Sequence, residues 1–135
     1  MTVQLSTSVR NAELDAIETA VGASAVLKVR TGAQPATCAV ADSGTVLATC
    51  NLPADWMAAA SAGSKALSGT WQDASADNTG TAAHFRLYAS DGVTCHMQGA
   101  ITLTGGGGDM TVDSVNFTAG QQFTVTAFTL TAGNA

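Results

Sequence analysis

Near residue 22 the hydrophobic period of this chain changes from 3.6 to 2, and it does not change back. In "STSVRNAELDAIETAVG" (6–22), Leu14, Ile17 and Val21 fall at i, i+3 and i+7, one face of a helix. Ser6, Thr7, Ser8 and Asn11 offer N-caps, Glu13, Asp15 and Glu18 lie toward the positive end, and Gly22 suits the C-terminal cap. After it, "SAVLKVRTG" (24–32) alternates, with Ala25, Leu27 and Val29 on one face and Lys28 and Arg30 on the other. The segments 45–52, 69–75, 83–89, 93–104, 110–117 and 122–131 read as further strands, with turn signals about every ten residues. Between them, "PADWMAAASAGSKALSG" (53–69) loses alternation; a short helix from Pro53 followed by a loop is expected.

This pattern predicts an all-β chain: a jelly-roll-like antiparallel β-sandwich with a short N-terminal α-helix. At 135 residues it makes a single domain, 1–135, with a helical arm over 1–22 and the sandwich over 23–135. Hydrophobic residues make up 46%, enough for a core, but aromatic residues only 5%, which points to a thin core between two sheets. "GGGG" (105–108) reads as a loop tip or bend and not a phosphate loop, because no Lys-Ser/Thr follows it.

Charge excludes some functions. Charged residues are 11% of the chain and the net charge is −5, so five scattered Lys and Arg make no basic stripe for nucleic acid. No run approaches the roughly 20 apolar residues of a membrane span, and the N-terminus lacks the basic and apolar regions of a signal peptide. Cys38, Cys50 and Cys95 read as buried free thiols, with a Cys38–Cys50 disulfide as the alternative.

The pair Cys95-His96 raises the question of a metal or catalytic site. "ADSGTV" (41–46) and "ASDGVT" (89–94) each place Gly third in a three-residue loop, the pattern of a type I turn with a left-handed Gly bulge. With Ser90-Asp91-Gly92 as that loop, Leu87 faces Cys95 and Phe85 faces Met97, which gathers the apolar residues on one side. Cys95 then points inward and His96 outward, so they form no thiolate–imidazole pair. On the outer face His96 lies opposite Arg86 with His84 diagonal to it beside Gln98; Arg86 between two imidazoles opposes a cation. The Asp residues mostly neighbour Gly, Ser, Asn or Pro and read as turn or cap residues, and "DASADN" (73–78) lacks the Gly and Glu of a calcium loop. Trp56 and Trp71 read as core or interface anchors, with sugar-stacking platforms as the alternative. No catalytic cluster, cofactor site or metal site is expected.

A Thr/Ala/Gly-rich, charge-poor β domain with a short N-terminal helix resembles the small virion proteins of tailed bacteriophages. "MTVQLSTSVRNAELDAIETAVGASAVLKVRTG" and "ADWMAAASAGSKALSGTWQDASAD" look like sequences of phage structural gene clusters, and the whole chain is similar to jelly-roll capsid cementing, or decoration, proteins. The resemblance implies a non-enzymatic virion protein, assembled in the host cytoplasm, that binds the major capsid protein on the outside of the head. It also implies self-association, as a homodimer with a trimer as the alternative. Contacts are expected from Leu14, Ile17 and Val21 of the helix and from Trp56, Met57 and Leu67 of the excursion, which lie outside the regular sheet pattern. The competing reading is a tail or receptor-binding β-sandwich that grips carbohydrate.

Overall fold

In the computed structural model, which describes residues 3–133, the chain is mostly β with one N-terminal helix. Helix α1 runs Thr7–Val21, and Ser6 caps it by accepting a hydrogen bond from the Val9 amide. Gly22 ends it at φ 91°, donating to the Glu18 carbonyl. Leu14 and Val21 are buried and Ile17 packs against the core, so the face read from the sequence is the face that docks.

Five strands form the main sheet: β1 (Val26–Arg30), β2 (Val46–Asn51), β6 (His84–Tyr88), β7 (Cys95–Leu103) and β8 (Met110–Val112), in the order β2-β1-β6-β7-β8. Pairing is antiparallel except for β7 with β8, which run parallel, a departure from the antiparallel sandwich expected. The other strands make two-stranded ladders: β3 (Ser64–Ala66) with β11 (Thr129–Thr131), β4 (Gln72–Asp73) with β10 (Phe123–Thr124), and β5 (Gly80–Thr81) with β9 (Asn116–Phe117). The long strands expected over 110–117 and 122–131 are therefore each broken in two. Ser114 breaks the first by turning its hydroxyl back to the Asn116 amide. The second changes partners along its length: Val125 bonds to Trp71, Ala127 bridges Thr111, and Thr129 reaches Ala66.

No helix follows Pro53. Residues 56–68 instead fold back on themselves as an irregular hairpin, with Met57 bridged to Leu67 and Ser61 to Ser64 around a turn in which Ala62 and Gly63 take positive φ. The reason lies in Trp56 and Met57, which are adjacent and both buried; two neighbouring large side chains sink into one core more readily from irregular backbone than from a short surface helix.

The core lies on one side of the sheet. Leu27 pairs with Leu87 and Val29 with Phe85, all facing inward. Over them runs an aromatic row: Phe85 meets Phe128 edge-on at 5.6 Å, Phe128 meets Trp71 at 5.5 Å, and Trp71 meets Trp56 at 5.9 Å. Both indole N–H groups are satisfied, Trp56 Nε1 by the Gly22 carbonyl at 2.9 Å and Trp71 Nε1 by the Trp56 carbonyl at 3.0 Å. The first of these also terminates α1, since it occupies a carbonyl the helix leaves unpaired.

The outer edge of β2 is closed by side chains. Asp73 accepts from the Thr49 amide at 2.8 Å, Asn78 donates to the Val46 carbonyl at 2.8 Å, and Asp77 accepts from the Thr49 hydroxyl. An edge covered in this way is a poor template for strand addition. These acidic residues thus spend their oxygens on a strand edge, beyond the turn and cap roles expected of them.

Gly44 and Gly92, the third residues of the two expected loops, sit at φ 73° and φ 70°, as a left-handed Gly requires. Their surroundings differ. A Cβ on Gly44 would lie 1.9 Å from the Thr31 carbonyl oxygen, whereas one on Gly92 would meet nothing within 4 Å. Gly92→Ala is expected to cost about 1 kcal/mol, the left-handed penalty alone. Gly44→Ala is expected to cost about 2 kcal/mol or more, because it adds a backbone clash. Urea denaturation of the two variants side by side measures the difference.

Candidate functional site

Two regions bring polar side chains together. The first is the seam between α1 and the 56–68 hairpin. Asn11, Asp15 and Glu18, spaced i, i+4 and i+7, accept from the amides of Gly63 (2.9 Å), Ala60 (3.0 Å) and Met57 (3.3 Å). Lys65 reaches into the same seam, to Asp15 at 2.7 Å, Glu18 at 2.9 Å and the Ala58 carbonyl at 2.9 Å. Its side chain is 2% exposed. Burial pushes the ammonium toward losing its proton, but its hydrogen bonds to the Asp15 and Glu18 carboxylates outweigh this and hold its pKa above the ordinary value. With all three donors engaged, Lys65 is a structural pin and not a base. A groove of about 490 Å³ opens beside it, lined by Asp15, Glu18, Asp55 and Met57.

The six residues expected to contact a partner lie in or beside this seam. Leu14, Val21, Trp56 and Met57 are buried, and Ile17 and Leu67 are partly buried against the core. The helix and the hairpin cover each other's apolar faces, so these side chains pack within the chain instead of forming an open surface. Trp56 is 0% and Trp71 1% exposed, which makes both core anchors and neither a sugar platform. The carboxylate and amide face of α1 was the missed signal: Asn11, Asp15 and Glu18 repeat at helical spacing beside the apolar stripe.

The second region is the outer face of the sheet. The sequence suggests a polar face, solvated or at an interface, and the 31–44 segment folds across it as a strap. Asp42 from the strap accepts from Arg30 at 2.9 Å, from Arg86 and from the Tyr88 hydroxyl at 2.7 Å. Arg86 is 1% exposed. Its Nη2 donates to the Thr37 and Val40 carbonyls, both at 3.0 Å, and its Nε to Gln98 at 3.1 Å. Gln98 donates in turn to the Pro35 carbonyl at 2.6 Å. Burial pushes the Asp42 carboxyl up, but the hydrogen bonds from Tyr88 and Arg86 and the charge of Arg30 together hold it below the ordinary value. Burial and the bond to Asp42 push Tyr88 up to about 12. Neither group is placed to exchange protons near neutrality.

The strap also decides the fate of the two histidines. His84 pairs with Ala100, is 1% exposed and places Nδ1 2.8 Å from the Gly32 carbonyl; its Nε2 is unpaired. His96 is exposed. The register differs from the one expected: Leu87 pairs with Met97 and Arg86 with Gln98, while Tyr88 pairs with Cys95 across a bulge. The turn is one residue longer than expected, closed by Ala89 donating to the Thr94 carbonyl, which alone would invert every side chain of β7. The bulge at His96 restores the faces from Met97 onward. Cys95, on the turn side of the bulge, is left on the outer face, where the inward position expected for it is overturned. Among the described residues, no group of three His, Cys, Asp or Glu is placed to hold a metal ion.

Three carboxyls, Asp15, Asp42 and Asp91, are held below their ordinary value of 3.8, Asp91 to about 2 by the Thr94 hydroxyl and the Thr94 and Val93 amides. A lowered folded-state pKa contributes stability that is complete above the ordinary value and is lost as pH falls. The melting temperature is expected to be flat from neutrality to about pH 4.5 and to fall from there toward pH 2. Asp42→Asn is expected to melt lower at neutral pH and to show a shallower acid slope; a thermal-melt series over pH measures both.

Comparison with known proteins finds no matching family model, no matching curated protein and no matching solved structure. Function therefore rests on this chain's own surface. All five of its cationic side chains are turned to internal work: Arg30, Lys65 and Arg86 are buried, Arg10 donates to the Ala132 carbonyl, and Lys28 donates to the Gly92 carbonyl beside the Tyr88 ring.

Proposed function

We propose that the protein is a bacteriophage virion component, a cement or decoration protein that binds the outer shell of the head at joints between capsomers and stabilises the mature lattice. The observation that carries this reading is that three of the five Lys and Arg side chains are buried and the other two, Arg10 and Lys28, are hydrogen-bonded within the chain. What remains outside is a neutral Thr, Ala, Ser and Gly surface with scattered carboxylates, which costs little to desolvate against a protein partner and repels polyanions. A protein that binds only the mature lattice stabilises it by mass action, and many copies on one shell add their effects.

The partner in this reading is the major capsid protein. The protein itself is a homodimer, or a trimer, across a symmetric joint. Contacts come from the exposed surface around the α1 seam, because the apolar side chains of the seam are internal. Val40 and Val93, 47% and 77% exposed on the strap and on the β6–β7 turn, are further apolar contact points. The jelly-roll form of the sandwich belongs to this proposal; the aromatic layer on one face of the sheet supports it, and the parallel β7–β8 pairing counts against it. The carbohydrate-gripping alternative loses its two aromatic platforms to the core.

Co-sedimentation of the purified chain with phage heads tests the reading. Saturable binding at a fixed number of copies per shell, with a higher disruption temperature for the loaded heads, supports it. Failure to bind any head surface, with a strict monomer by light scattering, would reject it.

A further inference from the structure

Cys38 and Cys95 are distant in sequence, yet the fold brings them to one place. Cys38 sits in a turn of the strap closed by the Val40 amide donating to the Thr37 carbonyl at 3.1 Å. Arg86 holds this turn against the sheet through the Thr37 and Val40 carbonyls, the two that bracket Cys38. Cys95 is carried to the same face by the β7 bulge, paired with Tyr88, whose hydroxyl binds Asp42 at the end of the strap. The two thiols are near enough to interact directly, and Cys95 Sγ also donates to the Met97 carbonyl at 3.5 Å. Both are free and half-buried. Cys50 is elsewhere. It pairs with Leu27, is 0% exposed and belongs to the core on the opposite face of the sheet. The sheet itself thus separates it from Cys38, and the Cys38–Cys50 disulfide kept open on sequence grounds has no path.

We propose that Cys38 and Cys95 form a thiol–disulfide exchange site for small-molecule disulfides of the glutathione class, and that exchange ends in a Cys38–Cys95 bond locking the strap onto the sheet. The thiolate of Cys38 attacks one sulfur of oxidised glutathione, forming a mixed disulfide and releasing one glutathione. Cys95 then attacks the Cys38 sulfur and releases the second. Two protein thiols are oxidised to one disulfide, and one glutathione disulfide is reduced to two thiols, which take up the two protons. The order follows from position: Cys38 lies on the strap between exposed Thr37 and Ala39, where a small disulfide reaches it first, whereas Cys95, pushed up to about 11 chiefly by burial, attacks only once the mixed disulfide is held beside it. Cys50, pushed up to about 12 by burial and the nearby carboxylates of Asp73 and Asp77, takes no part.

The lock has a mechanical consequence. Without it the strap is held by non-covalent contacts, chiefly those of Arg86 and Asp42. With it, a long loop of chain is closed covalently, which raises resistance to unfolding.

The test incubates the full chain with oxidised glutathione at mildly alkaline pH, quenches exchange with acid, unfolds the chain in denaturant, blocks remaining thiols with iodoacetamide, and reads intact mass and peptide linkage. The expected product is about 2 Da lighter before blocking, carries one blocked thiol at Cys50, and yields a Cys38–Cys95 linked peptide. Its melting temperature is expected to rise by roughly 5–15 °C and to return on reduction. Cys95→Ser is expected to stop at a glutathione adduct on Cys38, and Cys38→Ser to form no internal disulfide. Three blocked thiols after prolonged exposure, or a linkage that includes Cys50 in the folded protein, would overturn the proposal. So would a stable wild-type adduct on Cys38 that Cys95 does not resolve.

Discussion

Trp71→Ala is expected to destabilise the protein by about 4 kcal/mol, the largest effect of any single substitution considered. Three losses combine. The indole is 1% exposed, so its whole area leaves the core. It is the middle of the aromatic row, in contact with Trp56 at 5.9 Å and Phe128 at 5.5 Å, so both neighbours lose a packing face. Its N–H donates to the buried Trp56 carbonyl, which then keeps only the Ser68 amide as a donor. The Trp71 carbonyl also receives the Val125 amide, so the cavity adjoins the point where the last segment of chain crosses the core. Trp71→Phe keeps much of the area but removes one of that carbonyl's two donors, and is expected to cost about 2 kcal/mol. Guanidinium denaturation of the two variants against wild type gives both values, and an effect of Trp71→Ala below about 1 kcal/mol would contradict the packing described.

Arg86→Ala is expected to cost about 3 kcal/mol, toward the lower end for breaking a buried ion pair, because Asp42 is 39% exposed and water can resolvate it. The loss is not confined to charge. Arg86 supplies donors to Asp42, Gln98, Thr37 and Val40, so its removal frees the strap from the sheet as well. Proteolysis distinguishes this from general destabilisation. Cleavage within 31–44 is expected to accelerate in Arg86→Ala well beyond its acceleration in Gly92→Ala, a control outside the strap. Arg86→Lys restores one charge but not the planar fork, and is expected to recover less than half of the loss.

These two side chains also mark how much could be read from the sequence. The inner face was legible, because alternation places Leu27, Val29, Phe85 and Leu87 together and α1 shows its apolar stripe at helical spacing. Both caps of α1 were legible for the same local reason. The outer face was not. Alternation assigns Lys28, Arg30, His84 and Arg86 to the far side of the sheet, but it cannot say that residues 31–44 return to cover them. That return depends on Asp42 meeting Arg86 across a long separation in sequence, and no local pattern encodes such a pairing. The bulge at His96 was hidden likewise: turn length and bulge shift the register in compensating steps, so the apolar match looks acceptable without either. The docking role of Asn11, Asp15 and Glu18 left a trace in their i, i+4, i+7 spacing. It was masked by the ordinary reading of acidic residues on a helix as solvent-facing.

The 56–68 excursion shows a different limit. Loss of alternation was visible, and Trp56, Met57 and Leu67 stood out as apolar residues outside the sheet pattern. Periodicity could not decide whether they faced a partner or the chain's own helix. The structure places them against the core, with Lys65 pinned between Asp15 and Glu18 at the rim. A partner surface therefore has to be sought among exposed residues, where, among the described residues, carboxylates outnumber the partly exposed Arg10 and Lys28.

Recognition of a mature viral shell by this surface is the proposed function. The most direct measurement is the affinity of the purified protein for expanded and unexpanded heads of the same phage, with copies per shell counted at saturation. Tighter, stoichiometric binding to expanded heads, by tenfold or about 1.4 kcal/mol at least, is the predicted result, since only a ligand that prefers one lattice can stabilise it. Equal affinity for both lattices, or no binding to either, would contradict the account.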